Sequence, residues 1–354
     1  MRIIAEDATG AEPAPFRVAR PWSPFPNAIR CAAVIGALLT ALAVAPAAQA
    51  AFPGANGLLA AGGAFGCDGS MIATMRPDGS DFALLTPSVC EDEEAMSYES
   101  PDWSGDGRRL LANDRVGAPV LIDAATREVT RIPLPAEPFF GAEKSSLSRD
   151  GLRVAYTRQV VTPRRGSRSE VWISDVDGTN SRRLRAGTMP RISPDGRTIA
   201  YVTRGTSRGR TCAPGAGCSG AGTWLMSART GKRIRRLGPA AGSLDWAPDG
   251  RRLVYSGARC CIDSNTDLHT VRVDGRGRRK LTATRRRAES GAVWSPDGRQ
   301  IAYVARTHPD EEDVQFTVYR MRASGGPSKR VYRSDRARIE EGTSLEISWQ
   351  PLPR

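Results

Sequence analysis

The sequence predicts an all-β fold, a six-bladed β-propeller of four-stranded antiparallel blades whose ring is closed by the C-terminal strand. Three observations carry this expectation. A block of the form Trp-Ser-x-Asp-Gly, followed by a short apolar run, recurs along the chain; its copies are evenly spaced; and the two ends hold complementary fragments of one further copy. The block reads Trp103-Ser104-Gly105-Asp106-Gly107, Leu147-Ser148-Arg149-Asp150-Gly151, Ile192-Ser193-Pro194-Asp195-Gly196, Trp246-Ala247-Pro248-Asp249-Gly250 and Trp294-Ser295-Pro296-Asp297-Gly298. From Gly107 onward the glycines are 44, 45, 54 and 48 residues apart. That period, with strand chemistry on both sides of a turn, marks a propeller blade and not a helical solenoid.

Each element of the unit follows from its residues. The first strand ends at the Trp-Ser pair, and Asp-Gly suits the hairpin after it because glycine accepts positive φ and aspartate tolerates it. The second strand is a run such as Ile199-Ala200-Tyr201-Val202 or Ile301-Ala302-Tyr303-Val304, apolar at successive positions as a strand covered on both faces requires. A third strand such as Glu170-Val171-Trp172-Ile173-Ser174 leads to a second turn, Asp177-Gly178. The fourth carries Arg182-Arg183-Leu184, Arg235-Arg236-Leu237 or Arg278-Arg279-Lys280-Leu281. Near the start, the segment from Phe52 to Ala60 reads as a turn and second strand with Asn56-Gly57 in place of Asp-Gly, and Ile347-Ser348-Trp349-Gln350-Pro351 reads as a first strand that then stops. The tail therefore completes the first blade. Residues 51–354 number 304, or about 51 per blade.

These repeats resemble those of the TolB-like propellers, whose unit carries the Trp-Ser-Pro-Asp-Gly pattern, and the likeness extends over nearly all of the chain after residue 51. The same repeat occurs in the propeller domain of prolyl oligopeptidases. The resemblance implies the fold and, through the family's namesake, a periplasmic binding role. It says less about function, since one fold hosts many activities. The first blade begins directly after the leader, so we expect no α/β domain ahead of it, and the short tail implies no hydrolase domain behind it.

Residues 1–50 are expected to be a leader outside the fold. The uncharged stretch from Cys31 to Ala45 follows Arg30 and leads to Ala48-Gln49-Ala50, the layout of a secretory signal peptide cleaved near Ala50. An uncleaved membrane anchor is the alternative; Cys31 precedes the apolar stretch and is not placed like a lipoprotein cysteine. The chain carries a formal net charge of +13. Four basic and three acidic residues in the leader leave +12 for the rest. Such a balance raises a nucleic-acid reading, yet many arginines sit on the fourth strands, where charge blocks edge-to-edge pairing, and others follow the Asp-Gly turns, as at Arg108, Arg197, Arg251 and Arg299. No interleaving of aromatic and basic residues suggests a single-strand groove, and nucleic acid is not an expected partner.

Six cysteines follow the leader, Cys67, Cys90, Cys212, Cys218, Cys260 and Cys261, an even number that suits disulfides in an exported chain. In a four-stranded meander the second-to-third and fourth-to-first connections share one face of the disc, and all six map there. Cys212 with Cys218 and Cys67 with Cys90 are the candidate pairs. A zinc site is not indicated, because no second pair or histidine follows in register, and no cofactor is expected.

Apparent catalytic motifs read as structure. Gly205-Thr206-Ser207-Arg208-Gly209 matches Gly-x-Ser-x-Gly but lies between two strands and not at a strand-to-helix elbow. Only His269 and His308 are available for a Ser-His-Asp arrangement. The run Asp175-Val176-Asp177-Gly178-Thr179-Asn180 lacks the later ligands of a calcium loop, and the aspartates Asp106, Asp150, Asp195, Asp249 and Asp297 recur with the turn. No catalytic residue is assigned. The cysteine face also carries the acidic runs 91–94 and 310–313 and the basic residues Arg164, Arg165, Arg208, Arg210, Arg285, Arg286 and Arg287. The expected function is an exported, monomeric, non-enzymatic propeller that binds a protein or cell-envelope component through this face and meets a membrane only through an uncleaved leader. The alternatives are a hydrolase or lyase acting on envelope or polysaccharide substrates, and a polyanion-binding module.

Overall fold

The structure is a computed structural model that describes residues 54–352 apart from 65–69, 88–95, 115, 135–139, 163–165, 204–205, 208–209, 212–220, 258–265, 285–286, 308–312, 335–336 and 339–344. Six antiparallel four-stranded sheets form a ring, and no helix occurs among the described residues. Inner to outer, the first blade is β27 (Glu346–Leu352), β1 (Ala55–Ala64), β2 (Ser70–Met75) and β3 (Ala83–Leu84). The second is β4 (Tyr98–Trp103), β5 (Arg109–Asp114), β6 (Pro119–Asp123) and β7 (Val129–Arg131), and the third β8 (Phe140–Leu147), β9 (Arg153–Thr162), β10 (Gly166–Asp175) and β11 (Arg182–Ala186). The fourth is β12 (Thr188–Ile192), β13 (Thr198–Thr203), β16 (Gly222–Ser227) and β17 (Arg233–Gly238), with a small hairpin, β14 (Thr206–Ser207) and β15 (Arg210–Thr211), in its long connection. The fifth is β18 (Ala241–Trp246), β19 (Arg252–Gly257), β20 (Leu268–Arg272) and β21 (Arg279–Lys280). The sixth is β22 (Arg287–Trp294), β23 (Gln300–Thr307), β24 (Asp313–Arg322) and β25 (Lys329–Arg333), and β26 (Ala337–Arg338) pairs with β24.

Burial explains why the second strands are apolar on both faces. The core is divided into six clusters, each shared by two neighbouring blades. Successive side chains of a strand point to opposite faces of its sheet, so the second strand of each blade feeds two clusters, as Leu59 and Ala61 face one and Ala60 the next. Trp103, Trp246, Trp294 and Trp349, the aromatic positions of the repeat, are all essentially fully buried.

The ring closes as the repeat count requires. β27 pairs antiparallel with β1, setting Leu59 opposite Trp349, Ala60 opposite Ser348 and Ala61 opposite Ile347. One detail differs from the sequence expectation. Asn56-Gly57 is not a hairpin turn, because the inner strand arrives from the other end of the chain and nothing has to be connected. These residues form a register shift within the pairing instead. The Leu58 amide donates to Gln350 Oε1, and Asn56 Oδ1 accepts from the Asp297 amide of the sixth blade.

The Asp-Gly hairpins also differ in detail. Only the glycine takes positive φ, near +70° at Gly107, Gly151 and Gly196. The aspartate acts as an acceptor: Asp106 Oδ1 takes hydrogen bonds from Ser104 Oγ at 2.6 Å and from the Arg108 amide at 3.0 Å, while the Gly107 amide closes onto Ser104 O. The same pattern recurs at Asp150, Asp195 and Asp297. In the fifth blade Ala247 replaces the serine, and Asp249 keeps only the amide bond, from Arg251. Burial alone would push the Asp106 carboxyl up, but the bonds from Ser104 and Arg108 and the nearby arginines outweigh it and hold it below its ordinary value.

Candidate functional site

Three regions of the ring carry chemistry: the axis, the side of the Asp-Gly turns, and the side of the longer connections. At the axis, the side chain just before the repeat's aromatic or aliphatic position ties four of the six blades to the next. Ser348 Oγ accepts from the Trp103 amide at 3.2 Å, Asp102 Oδ2 from the Leu147 amide at 2.7 Å, Ser146 Oγ from the Ile192 amide at 3.1 Å, and Asp245 Oδ2 from the Trp294 amide at 2.9 Å. Arg191 occupies the same position in the fourth blade. Its guanidinium has no acceptor to offer, so there the tie runs differently: Trp246 Nε1 donates to Arg191 O at 3.0 Å.

Arg191 is fully buried, with Nη1 donating to Ser145 O and Pro190 O, both at 2.9 Å. Burial pulls its pKa down, and the carboxylates of Asp102, Glu346 and Asp245 oppose that. The first, second, third and fifth blades thus all act on one guanidinium. Asp245 is buried as completely; desolvation pushes its pKa well up, against the Trp294 amide and Arg191, and its Oδ1 has no hydrogen-bond partner among the described residues. Such a group of buried charges rigidifies a core when it is satisfied and is costly when one partner is removed. It is the residue set that sequence reading missed.

On the turn side, the turns at 105–106, 148–150 and 194–196, together with Arg153, line a depression of about 520 Å³. Asp106, Asp150 and Asp195 meet there, each with Oδ1 committed to its own turn. This is more relief than a face of tight turns leads one to expect.

The sequence assigns the candidate binding residues to the opposite side, and most of them are not described. Cys67, Cys90, Cys212, Cys218, Cys260 and Cys261 lie outside the described residues, as do Arg164, Arg165, Arg208, Arg285, Arg286, His308 and the acidic runs 91–94 and 310–312. The backbone of Arg210 is part of β15. Arg287 is described at the start of β22, half-buried, its guanidinium 5.1 Å from the Tyr319 ring. Nearby, Glu289 is fully buried and anchors the fourth-to-first connection, accepting from Thr284 Oγ1 at 3.1 Å and from Thr282 Oγ1. Burial raises its pKa, while those hydroxyls lower it.

The remaining motifs are structural in the described residues. Ser207 stands in the β14–β15 hairpin, strand to strand. The Asp175 segment is a hairpin turn in which Thr179 donates its amide to Asp177 Oδ1 and Asn180, at φ 53°, donates Nδ2 to Asp175 Oδ2. His269 stacks on Tyr255, with ring centroids 5.3 Å apart, and burial lowers its pKa. Among the described residues no group of three or more histidine, cysteine or acidic side chains could hold a metal ion.

Among solved structures, a protein assigned as TolB from Agrobacterium tumefaciens is similar over 84% of this chain and 99% of its own, at 16% identity and a TM-score of 0.58. The fold is that of a TolB-like propeller. A chain of a nidogen/laminin complex aligns over 83% of this chain and 98% of its own, at 11% identity and a TM-score of 0.57. An oligogalacturonate lyase in complex with manganese aligns over 82% of this chain and 78% of its own, at 17% identity and a TM-score of 0.54. At these identities the likeness concerns the fold alone, and no family model matches the sequence. Among the described residues, no helix is long and apolar enough to cross a membrane.

Proposed function

We propose that this chain is an exported, non-enzymatic propeller that binds a protein or cell-envelope ligand through the face of its long connections. The observation that carries the reading is the unequal construction of the two faces. On one, four of the five Asp-Gly hairpins are fastened by the same serine and aspartate bonds. On the other, the second-to-third connection reaches from Thr203 to Gly222 in the fourth blade and from Gly257 to Leu268 in the fifth. Binding residues concentrate on connections of that kind, held by a rigid scaffold, and the mixture of arginines and acidic runs there suits the orientation of a charged partner. Disulfides among the cysteines of that face would lower the ordering cost of binding. The leader at 1–50 and the even cysteine number support export, and the periplasmic role implied by the TolB-like resemblance agrees with it.

The test is a two-sided charge reversal. Replacement of Arg164, Arg165, Arg285 and Arg286 by glutamate should abolish capture of the partner from the envelope fraction without lowering the melting temperature, and the same change at Arg197 and Arg299 should do little. Equal loss from both sets would remove the face assignment. Turnover of envelope or polysaccharide substrates by purified protein would overturn the non-enzymatic reading in favour of a hydrolase or lyase.

A further inference from the structure

The rim of the ring is not uniform. The outermost strands of the third to sixth blades are strongly basic: Arg182, Arg183 and Arg185 on β11, Arg233, Arg235 and Arg236 on β17, Arg279 and Lys280 on β21, and Lys329, Arg330 and Arg333 on β25. None of these four strands carries an acidic residue. The first two blades are different. β3 is Ala-Leu, and the single arginine of β7, Arg131, is neutralised by the buried carboxylate of Asp114. Edge protection alone does not account for this pattern, because β3 and β21 are equally short and only β21 is charged. Four consecutive blades have them and two do not.

The four basic strands are also joined. The outer turn of each blade abuts the outer strand of the blade before it so closely that a Cβ at Gly231 would lie 2.6 Å from Leu184 O, one at Gly275 3.5 Å from Arg236 O and one at Gly325 3.7 Å from Leu281 O. Several guanidiniums are fixed across these seams. Arg182 donates to Ala228 O at 3.1 Å, Arg185 to Gly231 O at 3.0 Å and Arg278 to Leu237 O at 3.4 Å. A backbone carbonyl orients a guanidinium without cancelling its charge, and four of its five N–H groups are left for other acceptors. Arg183 and Lys280 have carboxylate partners, Glu170 and Asp267.

We propose that this belt is a binding surface for an acidic polysaccharide, a flexible chain whose carboxylate or sulfate groups the guanidiniums engage one after another. Planar guanidinium forks match carboxylate oxygens in pairs, and preorientation reduces the ordering cost of each contact. The aromatic rings of the rim argue for a glycan and against a single nucleic-acid strand, which needs open rings on which bases stack. Trp224 is covered by Arg233 at 4.1 Å and flanked by Arg236 at 6.0 Å, and Tyr332 is stacked against Phe82. A stiff duplex, with a persistence length of about 50 nm, would follow a convex rim only at a cost in bending energy that a flexible glycan does not incur. The proposal concerns the outer rim and stands independently of the partner assigned to the long-connection face.

The experiment measures binding of the full chain to polygalacturonate, to dextran sulfate and to a single-stranded DNA of matched charge over a series of salt concentrations. Arg235, Arg279 and Arg330 are exposed and lie on three different blades, so the triple change to glutamine tests the belt without disturbing the seams. It should weaken polysaccharide binding on the order of 10- to 100-fold and flatten the salt dependence, as expected when roughly three ionic contacts are lost. The triple lysine variant should keep the parent's salt dependence but bind more weakly, because an ammonium cannot form the paired bonds of a guanidinium fork, and glutamine at Arg197, Arg251 and Arg299 should leave binding unchanged. Unchanged affinity in the belt variant, equal loss in the turn-side variant, or tighter binding to DNA than to either polysaccharide at the same salt would each overturn the proposal. A melting temperature equal to that of the parent protein separates loss of contact from loss of fold.

Discussion

Trp349 is a position at which one substitution weakens the closure of the ring. It is 1% exposed and packs, with Leu345 and Ile347, into the cluster between the sixth and first blades, against Val293, Ala302 and Val304. Trp349→Ala removes the largest side chain of that cluster and leaves a cavity, at a cost of about 3–5 kcal/mol. For a chain of this length each kcal/mol lowers the melting temperature by about 2 °C, so the expected fall is about 6–10 °C. Deletion of residues 345–354 goes further. It removes the three side chains that this segment contributes to the cluster, together worth about 7–15 kcal/mol by the same measure, along with the pairing of β27 to β1 and the Gln350 bonds to Leu58 and Gly107. That matches the whole stability of a typical domain, about 5–15 kcal/mol, so the shortened chain should show no cooperative transition. Circular dichroism melts and limited proteolysis of the three proteins decide the matter. A shortened chain that melts cooperatively at the parent temperature would refute the closure reasoning.

Arg191→Met should destabilise by about 3–5 kcal/mol, because the carboxylates of Asp102 and Glu346 would lose the buried positive charge that opposes them; an unchanged denaturation midpoint would show that the axial group contributes no stability. Asp245→Asn should have the opposite sign at neutral pH. Asp245 is buried and its folded-state pKa is raised, so its contribution is fully present below the unfolded value and is lost as pH rises through the folded one. The amide keeps the acceptor for the Trp294 amide, and the variant should equal or exceed the parent in stability at pH 7 to 8 and lose that advantage near pH 4; a melting profile with the reverse trend would show that Asp245 is ionised in the folded state. Thiol titration of the exported protein, denatured without reductant, should find fewer than six reactive cysteines, and six would eliminate the disulfides proposed for the long-connection face.

Much of the architecture is legible in the chain because each blade repeats the same physical solution. The Ser-x-Asp-Gly block specifies a turn by side-chain bonds that are local in sequence, and four copies, with a fifth in which Ala247 replaces the serine, leave one arrangement of strands. The closing strand is legible for the same reason, since Ile347-Ser348-Trp349 ends on a tryptophan as three of the other five inner strands do, at Trp103, Trp246 and Trp294. What escaped reading is non-local. Nothing near Arg191 distinguishes Pro190-Arg191-Ile192-Ser193 from the exposed arginines of a strongly basic chain; only assembly of the ring brings Asp102, Asp245 and Glu346 around it. Asp102-Trp103 and Asp245-Trp246 did carry a signal, an acidic residue ahead of a buried tryptophan, but its meaning is a bond to the next blade about 45 residues on. Asn56-Gly57 misled as a hairpin because a turn dipeptide looks the same whether or not two strands must be joined there. The chemistry that the long connections serve is not written in a period that belongs to the fold.

The central claim, binding through the long-connection face, is tested most directly by photo-crosslinking in the cell with a photoreactive residue at one position per face. Position 287 lies at the start of β22 on the long-connection side, and position 299 lies beside the Asp297 turn on the other. The account predicts a discrete crosslinked species from position 287 and none from position 299. A discrete species from position 299 alone, or equal yields from both, would contradict it.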